Sequence, residues 1–291
     1  MLGEDNKDSF LFENIRTGNL PSIQQAINSK ANINSLDADG NTPLANATKR
    51  GRKDIIKYLL RKKADIFKVG EGGKTAIHWA ISRNDFDAVK LMFWRNFCVN
   101  KIDDKGNTPL IYAAQEGRAN VAKFLVNKGA VVDKVGRSRK TPLIEAIIGG
   151  HLSAVNYLVE MGANVDRLAP DGNSPLAAAV RCQHRKIVEL LVNMEADVCK
   201  VGDKGKPPLS WAVITEDFGL VEFLLENGAE DTVQAALVEA VEGRNFEIVK
   251  FLMEKCDSIE MGSKFKEMIF NKVKESHNLD LERCMEKWNL G

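Results

Sequence analysis

The sequence has few of the residues that build covalent or metal-bound frameworks. Its five cysteines are odd in number and scattered, with no CxxC pair, and its four histidines lie far apart. No disulfide framework is indicated, and no metal ligands are predicted, since neither residue type shows the required spacing. This cysteine usage is typical of a reducing compartment, and we expect an intracellular, cytoplasmic location with a nuclear one as the alternative.

Net charge and long apolar segments are also missing. With 41 basic and 40 acidic residues the net charge is only +1, so a general polyanion binder is not indicated. No apolar run approaches the roughly 18 residues that span a bilayer. The first ten residues are acidic and polar, without the basic end and apolar stretch of a signal peptide.

Catalytic and cofactor motifs are equally scarce. Gly72-Gly73-Lys74-Thr75 resembles the end of a phosphate-binding loop, but the glycine required five positions before Gly73 is Lys68. No GxSxG motif, cysteine–histidine arrangement or carboxylate pair stands out. The sequence therefore predicts neither an enzyme nor a cofactor.

What the chain does contain is one short sequence motif repeated at a fixed interval. Thr-Pro-Leu or a close variant begins at positions 42, 75, 108, 141, 174 and 207, so the step is constant (75 − 42 = 33, and so on to 207 − 174 = 33). No insertion or deletion interrupts these copies. Such a period indicates a stacked array of small units that offers a long shared surface, and not a globule with one closed core.

The unit that begins at Asp103 shows how each copy should fold. Thr108 is placed to accept a hydrogen bond as the N-cap of a short helix, and Pro109 fits the first helical position. Gly117 ends this helix where a left-handed residue is expected. Val121 and Leu125 then have the spacing of a buried stripe on a second helix. An extended stretch and a polar, projecting finger follow.

These residues resemble the ankyrin repeat family. Its signature, D-x-x-G-x-T-P-L-H-x-A-A, is nearly complete in residues 103–114 and 37–47. The resemblance covers about residues 9–257 and implies an all-α ankyrin-repeat solenoid of stacked helix-turn-helix units with hairpin-like fingers. It also implies a concave face, formed by fingers and first helices, that most often binds other proteins.

The repeat period predicts that the chain is divided into four segments. Residues 1–36 form an N-terminal capping repeat, 37–229 form six repeats of the full period, 230–257 form a shortened seventh repeat, and 258–291 form capping helices. The step from Leu209 to Leu237 is five residues shorter than the period (237 − 209 = 28), which indicates that the seventh repeat is shortened. In the last segment Met268, Ile269 and Val273 give one amphipathic helix, and residues 281–288 give another. A partner-binding helix is the alternative reading of that segment.

Several positions depart from the signature. Its histidine survives only at His78, which we expect to form hydrogen bonds within its own repeat. The glycine between the helices is replaced at three positions, Asn84, Gln183 and Glu216. A left-handed residue other than glycine costs roughly 1 kcal/mol. Pro207 replaces the capping hydroxyl, which removes about another 1 kcal/mol.

Aromatic and arginine side chains mark the predicted groove. The variable position of the first helix holds Trp79, Tyr112 and Trp211, and Arg83 and Arg181 follow on the same face. These residue types dominate interface energetics, and we expect Trp79 and Tyr112 to be neighbours in the groove. The alternative is that the rings only cover the adjacent repeat. Phe93, Trp94 and Phe97 are predicted to pack in the core instead.

Basic residues recur at every second finger. Lys74, Lys140 and Lys206 stand directly before the cap, two repeat periods apart, where the other fingers carry asparagine. The fourth finger is the most basic, because Lys134, Arg137 and Arg139 lie close to Lys140. The pattern indicates a row of positively charged fingertips that binds an acidic partner surface. The alternative is that it reflects only the duplication of an ancestral two-repeat block.

The sequence thus predicts a non-catalytic protein–protein interaction module that binds an acidic segment of another protein. We expect a monomer without a membrane span, and we do not expect nucleic acid as the partner. Two alternatives stay open: a sensor of an anionic small ligand such as a nucleotide or oligonucleotide, and a passive regulatory arm of a larger protein. Asparagine or lysine before the caps, where oligoadenylate-binding ankyrin repeats have aromatic finger residues, counts against the sensor.

Overall fold

The computed structural model describes residues 4–93, 99–103, 106–202, 204–256, 262–275 and 282. Within these ranges the regular structure is helical, and the only β pairing is an isolated bridge between Asn173 and Val201. The prediction of an all-α fold is confirmed. The chain divides into two compact units, residues Met1–Ala163 and Asn164–Gly291.

The first unit consists of successive pairs of short helices. Its α-helices in the described ranges are α1 (Glu4–Thr17), α2 (Leu20–Asn28), α3 (Pro43–Lys49), α4 (Lys53–Arg61), α5 (Ala76–Ser82), α6 (Phe86–Met92), α7 (Pro109–Gln115), α8 (Ala119–Asn127), α9 (Pro142–Ile148) and α10 (Leu152–Glu160). A 3₁₀ turn spans Glu71–Gly73. Phe93, next to α6, is buried as predicted, whereas Trp94 and Phe97 lie outside the described residues.

The second unit continues the same alternation. Its described α-helices are α11 (Pro175–Arg181), α12 (Arg185–Asn193), α13 (Pro208–Ile214), α14 (Phe218–Glu226), α15 (Val233–Glu242), α16 (Phe246–Cys256) and α17 (Ser263–Glu275). Helix α17 packs against α15 and buries Ile269 and Val273. Met268 does not share that stripe, since 40% of it is exposed. The helix predicted over residues 281–288 lies outside the described residues except for residue 282, and the capping role of this segment stays a prediction.

Hydroxyl caps begin the first helix of most repeats. Thr42, Thr108, Thr141 and Ser174 each accept a hydrogen bond from the backbone N–H three residues later, at 3.0, 3.3, 3.2 and 3.1 Å. Each cap satisfies one of the orphan donors of a helix N-terminus. Pro207 makes no such bond. The predicted caps, and the missing cap of α13, are confirmed.

Small buried side chains let the first helices approach one another. In the first unit these are the fully buried alanines that recur at the repeat period, Ala47, Ala80, Ala113 and Ala146. The helices that carry them, α3, α5, α7 and α9, contact each other in that order. The fingers are joined as well, because Asn34 Oδ1 accepts from the Asp65 N–H at 2.9 Å and Asn100 Oδ1 from the Val131 N–H at 2.8 Å.

The turns between paired helices adopt the left-handed conformation that the sequence predicts. Asn84, Gln183 and Glu216 have φ angles of 54°, 57° and 56°, where other repeats have glycine. At Gly117 (φ 65°) glycine is needed for a second reason. The His151 ring packs directly against it, so an added Cβ would overlap the imidazole. His151 Nε2 lies 3.0 Å from the Gln115 carbonyl oxygen at the end of α7.

Candidate functional site

His78 joins its own repeat to the next finger. The Thr75 N–H donates to His78 Nδ1 at 2.7 Å. The ring proton is therefore on Nε2, which lies 3.2 Å from Asp103 Oδ2. The expected hydrogen bond within the repeat is confirmed, and the contact with Asp103 is an addition that the sequence did not predict.

Tyr112 is held by the same carboxylate. Its hydroxyl donates to Asp103 Oδ2 at 2.9 Å and accepts from Asn107 Nδ2 at 3.2 Å, while its ring meets His78 edge to face. Burial, and with it the negative charge of Asp103, raises the pKa of Tyr112 far above its ordinary value. The hydroxyl is thus already bonded within the chain, and only the half-buried ring remains for a partner.

Two lysine ammonium groups approach the Trp79 ring. It is half-buried on α5, and its ring centroid is 4.7 Å from Lys49 Nζ and 4.4 Å from Lys74 Nζ. Both distances are within the range of a cation–π interaction. The first lysine is the last residue of α3, and the second precedes the cap of α5. An aromatic face and two cations from adjacent repeats therefore meet at Trp79.

Arg83 has a structural contact that the sequence did not predict. Its Nη1 donates to the Lys49 carbonyl oxygen at 3.1 Å, at the C-terminal end of α3. Its guanidinium also lies against Gly51. Helix C-termini expose unpaired carbonyls and favour cations. The side chain, although exposed, therefore ties α5 to the preceding repeat.

In the second unit the predicted site residues are engaged with one another. Trp211 Nε1 donates to Asn173 Oδ1 at 2.8 Å, and the Arg181 guanidinium lies 5.4 Å from the Trp211 ring. Arg181 also pairs with Asp171 at 2.9 Å. Burial by itself would raise the pKa of Asp171. Hydrogen bonds from Asn173 and Arg181 outweigh the effect of burial, so the pKa of Asp171 lies below its ordinary value.

Lys206 is similarly neutralised, because its ammonium binds the Glu239 carboxylate on α15. Both basic residues predicted for binding in the second unit therefore have a carboxylate of the chain as counter-ion. Their charge is compensated locally, which weakens any attraction to an external acidic group.

The fourth fingertip, residues 134–140, keeps most of its charge exposed. Lys134, Arg137 and Arg139 are exposed, and in the part of the chain that the structure describes none of them forms an ion pair. Lys140 is half-buried and has Glu145 Oε1 at 4.0 Å. This fingertip therefore presents at least three basic side chains to solvent.

Arg139 has an unusual backbone conformation. Its φ is 58°, in the left-handed region that favours glycine. The equivalent positions of the other five fingers all carry glycine: Gly40, Gly73, Gly106, Gly172 and Gly205. The sequence predicted Arg139 only as a cation and not as a strained residue, although the absent glycine is visible when the repeats are compared.

One known sequence family matches most of this chain. The sequence profile described as ankyrin repeats (3 copies) matches residues 11–101, 69–136, 84–169, 132–201 and 164–235. These overlapping stretches cover well over half of the chain. The chain belongs to the ankyrin repeat family. The resemblance seen in the signature residues is thereby confirmed.

Two solved ankyrin domains illustrate the likeness. The human ASB11 ankyrin repeat domain is 22% identical over 75% of this chain and 96% of that one, with a TM-score of 0.64. The ankyrin repeat domain of Bcl-3, a member of the IkappaB protein family, is 24% identical over 75% of this chain and 98% of that one, with a TM-score of 0.66. At such identities the likeness shows the fold alone. Among curated proteins, none matches this sequence.

Membership of the family carries a general function. Ankyrin repeats generally act as protein–protein interaction modules and are typically non-catalytic. None of the described helices of this chain is long and apolar enough to cross a membrane. Its described histidine, cysteine and carboxylate side chains do not gather in threes where a metal ion would bind.

Proposed function

We propose that this ankyrin repeat chain is a non-catalytic, intracellular recognition module that binds an acidic segment of a partner protein. The contact lies in the first unit, on the fourth fingertip and the first-helix residues Trp79 and Tyr112. This surface leaves out predicted site residues that are engaged within the chain: Arg83 binds a helix end, Arg181 and Lys206 have counter-ions, and the Trp211 indole donates to Asn173.

The observation that carries the proposal is the backbone of Arg139. A left-handed residue other than glycine costs roughly 1 kcal/mol, and the strain brings no hydrogen bond or ion pair of the side chain in the described structure. Strain kept at an exposed position motivates a hypothesis of function. We infer that binding of a carboxylate to the Arg139 guanidinium offsets the cost of this backbone strain.

Charge supports the same partner chemistry. Arg137 and Arg139 present planar forks that match carboxylates in bidentate fashion. An uncompensated basic patch also accelerates association with an acidic segment, because it steers diffusional encounter. The near-zero net charge of the whole chain makes this patch a local feature and not a general affinity for polyanions.

Replacing Arg139 with glycine tests the proposal, since binding and stability should move in opposite directions. R139G removes the strain, so we expect the free energy of unfolding to rise by about 1 kcal/mol. The same change should weaken binding of a fluorescein-labelled hexaglutamate peptide, measured by fluorescence polarisation, by about fivefold or more. Glu216→Gly is the matched control, because it relieves the same kind of strain away from the fingertip.

Three outcomes would contradict the proposal. The first is an R139G variant that binds hexaglutamate as tightly as the parent chain. The second is an oligonucleotide of equal charge that binds more tightly than the peptide and loses affinity in R139G, which would favour the anionic-ligand sensor instead. Lowered binding of the peptide in both R139G and E216G would also count against a specific role of the fingertip.

A further inference from the structure

Each finger of the first unit carries an apolar residue at one repeat position. These four residues are separated by the repeat period (69 − 36 = 33, and so on to 135 − 102 = 33), and we call them the apolar row: Leu36, Val69, Ile102 and Val135. Leu36 and Ile102 are 50% and 51% exposed, and the two valines are half-buried. Single exposed apolar side chains are ordinary on a protein surface. A set that recurs along the same edge indicates an interaction surface.

The fingers that carry the apolar row contact one another. The hydrogen bonds that Asn34 Oδ1 and Asn100 Oδ1 accept join the first finger to the second and the third finger to the fourth. Lys101 Nζ lies 4.7 Å from the centroid of the Phe67 ring, which joins the third finger to the second. Equivalent positions of stacked repeats are spatial neighbours. The apolar row therefore follows one continuous edge of the first unit.

Positive charge borders this row. The residue directly before the row position is a lysine in three of the four fingers, namely Lys68, Lys101 and Lys134. All three are exposed, and none of them pairs with a carboxylate in the part of the chain that the structure describes. A second copy of this chain is a poor occupant, because its row would bring lysines against lysines. The partner surface that fits is both apolar and acidic.

We propose that the apolar row binds an amphipathic α-helix of the partner protein, whose apolar side chains recur every seven residues beside acidic ones. Packed helices lie about 8–10 Å apart, so neighbouring repeats place their row residues at roughly that spacing. Helix residues seven apart lie on nearly the same face, about 10.5 Å from each other. One helix of about 20 residues, roughly 30 Å long, therefore spans the four fingers. The proposal rests on the proposed function, because it gives the acidic segment of that partner a conformation and an apolar face.

Designed peptides of about 22 residues test this directly. The heptad peptide has leucine at every seventh position, glutamates beside the leucines, and alanine and glutamine elsewhere. The scrambled peptide has the same composition with its leucines on different faces, and the leucine-free peptide has glutamine in their place. With fluorescein labels and fluorescence polarisation, the heptad peptide should bind about tenfold more tightly than either control. Proline at its centre, on the face away from the leucines, should abolish this advantage because proline breaks a helix.

Variants of the chain complete the test. We expect L36S/I102S to weaken binding of the heptad peptide by about tenfold or more and to leave the affinity for the leucine-free peptide unchanged. V131S is the matched control, because Val131 is 52% exposed in the same unit but lies outside the row. It should change neither affinity. Urea unfolding at the midpoint of the parent chain shows that each variant is folded. A loss in V131S as large as that in L36S/I102S overturns the row.

The outcomes separate this proposal from the proposed function. Equal affinity for the heptad and leucine-free peptides, with hexaglutamate binding that depends on Arg139, overturns the row and leaves the proposed function standing. A heptad advantage together with hexaglutamate binding that is unchanged in R139G supports the row and contradicts the fingertip contact. If the parent chain but not L36S/I102S sediments with phosphatidylserine vesicles, and the heptad peptide has no advantage, the row contacts a membrane and the proposal fails. If no peptide binds, both proposals fail.

Discussion

His78 Nε2 lies 3.2 Å from Asp103 Oδ2, with only 4% and 2% of the two side chains exposed. The same carboxylate accepts from the Tyr112 hydroxyl at 2.9 Å and from the Asn107 N–H at 2.9 Å. One buried acidic group thus connects α5, the following finger and α7. A group that satisfies so many donors at a repeat junction should contribute to the stability of the first unit.

Asparagine at position 103 should destabilise the first unit. It keeps one acceptor oxygen but places an NH₂ group where Asp103 meets donors, so we expect a loss of about 1–3 kcal/mol in urea unfolding. Asp37→Asn is the matched control at the equivalent position. Asp37 accepts from Asn46 Nδ2 and the Asn41 N–H but is half-buried. A loss in D37N as large as that in D103N would contradict the special role of Asp103.

Tyr112 should make stability depend on alkaline pH. Burial raises its folded-state pKa well above the unfolded value near 10. Above that unfolded value the folded chain keeps a proton that the unfolded chain has lost, so stability falls as pH rises through the interval between the two pKa values. Tyr112→Phe should flatten this decline, measured by urea unfolding from about pH 9 to pH 11.

Tyrosinate absorbance provides the independent check. The chain has three tyrosines, and the one that ionises last should disappear from the titration in Y112F. Tyr157→Phe is the comparison, because it should leave that late step in place. A late step that survives in Y112F would contradict the assignment of the raised pKa to Tyr112.

Glycine should be favoured or required at the turns between paired helices. Glu216 is exposed with φ 56°, so Glu216→Gly should raise the free energy of unfolding by about 0.5–1 kcal/mol. Gly117→Ala should have the opposite sign, because it adds strain at φ 65° and overlaps the His151 ring. Thermal or urea unfolding of the two variants gives the comparison. Equal signs for both changes would contradict the conformational explanation.

Arg83 should prove structural. Arg83→Ala removes the hydrogen bond to the Lys49 carbonyl at the end of α3, which should cost about 0.5–1.5 kcal/mol of stability. Its affinity for hexaglutamate should stay that of the parent chain, because its guanidinium is already engaged within the fold. Weaker binding with unchanged stability would return Arg83 to the binding surface.

Much of the fold could be predicted from the sequence, because its causes are local. The capping bonds of Thr108 and Thr141 span three residues, and the left-handed turn at Glu216 follows from the geometry of one helix end. The spacing of Val121 and Leu125 predicted which face of the second helix packs inward, and both side chains are buried. The repeat period then specified the order of the repeats, since in a repeat protein each repeat packs on its neighbours in sequence.

The state of the site residues could not be predicted in this way. Trp79 and Trp211 occupy the same repeat position, yet only Trp211 Nε1 finds an acceptor, in the preceding repeat at Asn173. Lys74 and Lys206 are equivalent too, but only Lys206 has a glutamate one repeat period further along to pair with. The sequence determined the repeat, its caps and its turns, because short-range geometry fixes them. Only the tertiary structure decided which equivalent side chains are satisfied within the chain, because their partners come from neighbouring repeats.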